Sequence, residues 1–274
     1  MILNRVILIL GLTLLFATSV QGQFIVAHRG ASYDAPENTL AAFQLAWEQG
    51  ADAIEADFYL TKDKQIVCMH DKSTRRTAPD HEDLIIAKTT LEQLSKLDVG
   101  AWKDKKFTGE KIPTFQQVLS IVPNGKKFFV EIKCGPEILP IMKPILEQSE
   151  IEPEQIVIIC FDSTVVTEAR KLMPQYRCNW LTGYKQDKQT GAWGPAQSQV
   201  LETLQKTKAT GLGSNFNRTI VNAEFMNSVV DAGLEFHVWT VNDVDDALYF
   251  SKIKVASITT DRPGFIRKVL QGEQ

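Results

Sequence analysis

Short apolar, β-branched runs alternate along the chain with longer stretches in which apolar residues return every three or four positions. Nine of the short runs read as strands: FIVAH (24–28), AIEAD (53–57), IVCMH (66–70), KFFVEIK (127–133), IVIICF (156–161), YRCNWL (176–181), ATGLGSN (209–215), EFHVWTV (235–241) and KVASITTD (254–261). Between them lie helix patterns such as NTLAAFQLAWEQG, where Leu40, Phe43, Ala46 and Trp47 make one apolar face. Asn38 or Thr39 can cap the start of that helix, and Gly50 closes it.

Alternating strands and helices are the pattern of a parallel sheet, either closed into a barrel or doubly wound. A closed (β/α)8 barrel takes eight strands, one fewer than the runs found. Spacing identifies the extra one. Only eight residues separate Asp57 from Ile66, too few for a helical crossover, and LTKDKQ between them is a turn signal. The pattern therefore predicts a TIM barrel whose second strand is extended by a β-hairpin through DFYL and IVCMH. With a four-residue loop at Lys62 to Gln65, Asp57 is expected opposite His70. Residues 71–112 carry little strand pattern and read as a small insertion with one short helix at TLEQLSKL.

Residues 1–22 stand apart. Arg5 is followed by VILILGLTLLFATSV, and Val20 and Gly22 are small residues at signal-peptidase spacing. The segment reads as a signal peptide cut after Gly22, with residues 23–274 as the barrel domain of an exported protein, periplasmic or secreted. Its apolar core of 15 residues is shorter than the roughly 20 that a spanning helix needs, so no stable membrane span is expected in the mature chain.

Composition is that of a globular protein, 44% hydrophobic and 23% charged, with a formal net charge of −3. This mild acidity, with no basic stripe interleaved with aromatics, argues against nucleic acid as a partner. Cys68, Cys134, Cys160 and Cys178 each sit in or beside an apolar run, at spacings that fit neither a zinc ribbon nor a redox CxxC pair. Buried thiols are the expectation.

The polar residues at the downstream strand ends change the picture most. They are His28 and Arg29, Glu55 and Asp57, His70 and Asp71 through the hairpin, Glu131 and Lys133, and Trp239. In a barrel these ends share one face, where active sites lie. Glu55 and Asp57 are two apart in a strand and point the same way, and Glu131 joins them. Three converging carboxylates repel one another unless a cation neutralises them, and an all-oxygen set selects a hard divalent ion, Mg²⁺ or Ca²⁺. The competing reading is ion pairing with Lys133 and Arg29 alone. His28 and His70 titrate near neutrality and can act as general acid and general base. Arg29 and Lys133 suit phosphate oxygens, and Gly30 would let a ligand approach the backbone. His81 and His237 lack such company and read as structural. Together these groups suit phosphoryl transfer from a phosphodiester; no GxxxxGK[ST] loop is present for a nucleoside triphosphate.

The motifs AHRGASYDAPENT, EADFYLTKDKQIVCMHD, GEKIPTFQQVL, VEIK, VWTVND and TTDRPG, in this order, make the sequence resemble the glycerophosphodiester phosphodiesterase family over nearly the whole of residues 23–274. The resemblance implies a TIM barrel with a small insertion after the HD motif, and hydrolysis of a glycerophosphodiester to sn-glycerol 3-phosphate and an alcohol. It implies His28 and His70 as the acid/base pair, Glu55, Asp57 and Glu131 as ligands of one divalent cation, and Arg29 and Lys133 as phosphate contacts. Glu37, Asn38 and Trp239 match motif residues near the site, with Trp239 packing on the substrate. Two alternatives stand beside this. A lysophospholipase D-like activity would be marked by an apolar rim from Phe107 or Trp102. A catalytically silent phosphodiester-binding protein would need no acid/base pair, and the complete set argues against it.

Overall fold

The computed structural model describes residues 23–272; the signal-peptide expectation for residues 1–22 lies outside them. In chain order the elements are β1 (Ile25–Ala27), α1 (Leu40–Glu48), β2 (Ala53–Leu60), β3 (Ile66–Cys68), α2 (Leu91–Leu94), α3 (Phe115–Leu119), β4 (Lys127–Ile132), α4 (Leu139–Glu147), β5 (Ile156–Cys160) and α5 (Ser163–Leu172). Then come β6 (Arg177–Thr182), β7 (Lys185–Gln186), β8 (Trp193–Gly194), α6 (Gln197–Thr207), β9 (Gly211–Asn215), α7 (Ala223–Asp231), β10 (Glu235–Trp239), α8 (Val244–Lys252), β11 (Ser257–Thr260) and α9 (Pro263–Gln271).

Eight strands, β1, β2, β4, β5, β6, β9, β10 and β11, pair in parallel, and β1 with β2 closes the ring. This is the TIM barrel that the strand count predicts. β3 is the ninth run and returns antiparallel on β2, as the short spacing requires. Alternation along each strand sorts its side chains. Ile54, Ala56 and Phe58 of β2 face outward into the main core, which the helices cover, and Glu55 and Asp57 are left for the interior. Inside, Val26, Ala53, Phe129, Val157, Ile159 and Leu181 fill the barrel. β9 contributes room rather than bulk. A Cβ at Gly213 would lie 2.4 Å from the Leu181 side chain, and one at Gly211 would lie 2.8 Å from Asn179.

The hairpin register differs from expectation by one residue. Phe58 pairs with Cys68 and Leu60 with Ile66, so Met69, not His70, donates its N–H to the Asp57 carbonyl at 2.9 Å. The cause is the turn: Thr61 and Gln65 bond across a three-residue tip, with Lys64 in the left-handed region at φ 62°.

Capping is local and legible. Thr39, not Asn38, caps α1 by accepting from the Ala42 N–H, and Gly50 follows the helix at φ 79°. Thr90 with Gln93 and Thr114 with Gln117 form capping boxes on α2 and α3. The insertion carries its own small core of Tyr59, Val67, Met69, Ile86, Leu94 and Val99, which seats it against the hairpin. All four cysteines are free thiols, three of them buried and Cys134 half-buried. No helix of the described residues is long and apolar enough to cross a membrane.

Candidate active site

Parallel register puts Asp57 beside Glu131, and Glu55 lies one interior layer below Asp57 on the same strand. One oxygen from each of the three carboxylates falls within 4.8 Å of the others. All three side chains are buried. Charge on neighbouring chains partly answers this density. Lys133 donates to Glu131 at 2.7 Å and lies 3.4 Å from Asp57. The Arg29 guanidinium lies 3.3 Å from Asp57, and the Arg29 backbone N–H donates to Glu55 at 2.8 Å. That last bond exists because Arg29 sits in the left-handed region, at φ 55°, an uncommon conformation for a long side chain.

The compensation is incomplete. Glu55 Oε1 and Asp57 Oδ1 are buried with no hydrogen-bond partner, and such atoms are costly unless something else satisfies them. Burial, then repulsion from Asp57 and Glu131, pushes the Glu55 carboxyl well above the ordinary carboxylate range. Burial and Asp57 push Glu131 up as well. For Asp57 burial is outweighed by Lys133 and Arg29, which hold it below its usual value. A divalent cation fits this set: three hard oxygen donors converge, Glu55 Oε1 has no other partner, and Asp57 Oδ1 has only the Lys133 ammonium at 3.4 Å.

Both histidines reach the same cavity, about 160 Å³, which is also lined by Arg29, Glu131, Lys133 and Trp239. His28 Nδ1 lies 2.7 Å from Asp261, whose carboxylate also accepts from Ser32 at 2.9 Å and Asn242 at 2.6 Å. His70 Nδ1 lies 2.7 Å from Asp71. In each case the carboxylate can accept a hydrogen bond from Nδ1–H, which favours the tautomer that leaves Nε2 facing the cavity. Burial lowers the His70 pKa from its ordinary value, with Arg29 and Lys133 acting in the same direction.

The remaining expected residues are placed as follows. Asn38 bonds Asp57 at both ends, donating to its carboxylate at 2.8 Å and accepting its backbone N–H at 3.2 Å. Glu37 stands behind Arg29, 3.0 Å from it. Trp239 meets Phe161 edge to face at 5.4 Å, and its indole N–H has no partner. His237 is buried one layer below Trp239, against Ser257 at 2.7 Å and the edge of Phe129. His81 is exposed and accepts from the Asp98 N–H at 3.2 Å. Neither belongs to the site.

Two expectations are corrected. Gly30 does not clear space for a ligand: at φ 83°, its missing Cβ would lie 2.6 Å from the backbone of Ala42, so it admits α1 instead. Phe107 and Trp102 are half-buried and form no exposed rim. Phe161 and Ile85, 45% and 46% exposed, line a groove of about 620 Å³ that shares Glu131 and Lys133 with the cavity that both histidines line. Sequence reading missed Asp261, Asn242 and Arg76. The TTDRPG and VWTVND motifs contained the first two, but the contact of Asp261 with His28 spans 233 positions.

The family model of the glycerophosphoryl diester phosphodiesterases matches residues 28–265. The chain belongs to that family. A glycerophosphodiester phosphodiesterase of Caldanaerobacter subterraneus is 32% identical over 87% of this chain and 94% of its own length. One from Bacillus subtilis is 28% identical over 90% and 86% respectively. In structure, the chain is similar to a phosphodiesterase of Oleispira antarctica solved with the product sn-glycerol 3-phosphate. The TM-score is 0.81 at 25% identity, covering 91% of this chain and 97% of the other. Membership of the family makes the protein an enzyme, a phosphoric diester hydrolase, and its eight-stranded barrel is the fold of these relatives.

Proposed function

We propose that the protein is a metal-dependent glycerophosphodiesterase that releases sn-glycerol 3-phosphate and an alcohol, with His28 and His70 as its acid/base pair. The observation that carries this reading is the buried cluster of Glu55, Asp57 and Glu131, in which two oxygens have no hydrogen-bond partner, beside a cavity lined by Glu55, Glu131 and both histidines. The three carboxylates would hold one Mg²⁺ or Ca²⁺. When bound, such an ion polarises a phosphoryl oxygen and offsets the charge that develops on it.

The chain's own residues supply the rest. Lys133, beside Glu131 and facing the cavity, provides a fixed positive charge for phosphate oxygens. Arg29 adds a second one while its fork is steadied by Glu37 and Asp57. His70, held towards its neutral form, is suited to accept a proton from the attacking water, or from a glycerol hydroxyl whose cyclic phosphate a water then opens. His28, anchored by Asp261, then donates to the departing alkoxide. Trp239, which lines the cavity, offers its ring to the glycerol moiety. The groove beyond Lys133 leaves room for the alcohol, and its apolar lining by Phe161 and Ile85 favours testing a lysophospholipid beside a soluble diester. Residues 1–22 are proposed as an export signal, which would put the activity outside the cytoplasm.

A substrate panel tests this directly: glycerophosphocholine, glycerophosphoethanolamine and lysophosphatidylcholine, each with Mg²⁺ and with Ca²⁺, scored for sn-glycerol 3-phosphate and for free alcohol. Release of sn-glycerol 3-phosphate from the soluble diesters is expected. Turnover of the lysolipid alone would replace this reading with the lysophospholipase D-like one.

A further inference from the structure

Two side chains tie the insertion after the second histidine to the catalytic face: Lys103, which donates to the Ser32 carbonyl at 2.8 Å, and Arg76, which alone reaches the carboxylates beside His70 and Arg29. Arg76 sits in a turn whose backbone is buried and closed: Thr77 and Ala78 donate to the Thr74 carbonyl at 3.2 and 2.8 Å, and Thr74 donates to Leu84 at 3.1 Å. Thr74, Thr77 and Ala78 are each at most 4% exposed. This fixed turn projects the Arg76 guanidinium across two carboxylates. Its Nε donates to Asp71 at 2.7 Å, and its two terminal nitrogens donate to Glu37 at 2.5 and 2.8 Å.

Each of those carboxylates has a second duty. Asp71 holds His70 Nδ1 through its other oxygen, at 2.7 Å, and Glu37 holds Arg29 at 3.0 Å. The result is one unbroken run: His70, Asp71, Arg76, Glu37, Arg29, Asp57. Arg76 itself does not line the catalytic cavity. We propose that Arg76 is a positioning residue, which sets the His70 imidazole and the Arg29 guanidinium in fixed relation through Asp71 and Glu37. The inference rests on the reading of His70 as an acid/base group.

The geometry explains why an arginine stands here. Bridging two carboxylates in different directions needs a rigid planar fork, which the single ammonium of lysine cannot reproduce. The side chain is 42% exposed, so its ion pairs contribute little to stability. What they contribute is alignment, and small misplacements of a catalytic group are costly: about 1 Å can lose roughly 10²-fold in rate.

The test is steady-state kinetics on glycerophosphocholine with saturating divalent cation for Arg76→Ala, Arg76→Lys and, as a control, Arg75→Ala, whose exposed side chain pairs with Asp83, away from the cavity. Arg76→Ala is expected to lose about 10²-fold in kcat, with KM within about threefold and Tm within about 3 °C of the wild type. Arg76→Lys keeps the charge and should remain similarly slow, and Arg75→Ala should match the wild type. Guanidinium ion should restore Arg76→Ala at least about tenfold and leave Arg76→Lys unchanged, because only the first has the vacated space. A kcat for Arg76→Ala within about threefold of wild type, a loss confined to KM, or failure of guanidinium rescue would each overturn the proposal. His70→Ala run in parallel separates the two levels: if it is active, the acid/base reading fails, and if it is dead beside a normal Arg76→Ala, only the positioning role does.

Discussion

His28 Nδ1 and the Asp261 carboxylate lie 2.7 Å apart, joining the first barrel strand's end to the last strand's. Burial would raise the Asp261 pKa, but its hydrogen bonds with His28, Asn242 and Ser32 bring it down to about 2 from an ordinary 3.8. A depressed carboxylate stabilises the fold fully above its unfolded value, and that stability is lost as pH falls through the folded value. The window is therefore about pH 4 down to 2, and the contribution is about 2 kcal/mol. Asp261→Asn should remove this acid-limb dependence from a urea-unfolding series between pH 2 and 5. It should also lower kcat by about 10²-fold, because the asparagine no longer fixes the Nδ1–H tautomer. An unchanged pH profile of stability would show that the carboxylate is not held as described.

Without a cation, Glu55 is pushed up by burial and by its two carboxylate neighbours. A raised carboxyl holds its proton further towards neutrality, and a metal ligand must lose it. Binding of Mg²⁺ or Ca²⁺ at pH 6 should therefore release protons, seen as a calorimetric enthalpy that varies with the buffer's ionisation enthalpy. Glu55→Gln should reduce that dependence to the share that the raised Glu131 carries, and weaken binding. A buffer-independent enthalpy would place the cation elsewhere or leave Glu55 already ionised.

Gly30→Ala should destabilise the protein by roughly 2–4 kcal/mol, combining a left-handed backbone with overlap against Ala42. The loss should appear in the unfolding midpoint, with KM for substrate near wild type, because the Cβ meets α1 and not the cavity. A raised KM at unchanged stability would restore the idea that this glycine clears a path for ligand.

The thiols carry a simple expectation. Cys68, Cys160 and Cys178 are buried, and burial pushes Cys160 and Cys178 up to about 12 and half-buried Cys134 to about 11. Ellman's reagent at pH 8 should find four thiols in denaturant without reductant, and at most Cys134, slowly, in the native protein. Fewer than four thiols in denaturant would mean that a disulfide forms.

The barrel was readable because alternation on β2 and β4 puts acids among residues that are otherwise apolar, and such acids have only the interior to face. The hairpin was readable from spacing, but its register was not: a lysine at Lys64 gives no sign of a left-handed turn, where glycine or asparagine would. β7 and β8, two residues each, are too short to carry any period. The three carboxylates and both histidines could be grouped because strand ends in a barrel converge. Asp261 and Arg76 could not, since one ends a strand that reads as ordinary and the other lies in an insertion without periodicity. Residues that hold catalytic groups in place are found through contacts, and contacts across 233 positions leave no local trace.

The most direct test of the central claim is the initial rate of sn-glycerol 3-phosphate release from glycerophosphocholine, for the wild type and for His28→Ala, before and after EDTA and after restoring Mg²⁺ or Ca²⁺. The site described here predicts that EDTA abolishes the wild-type rate, that one of the two ions restores it, and that His28→Ala is slower by about 10²–10⁴-fold with either. A wild-type rate that survives EDTA together with a His28→Ala rate near wild type would contradict it.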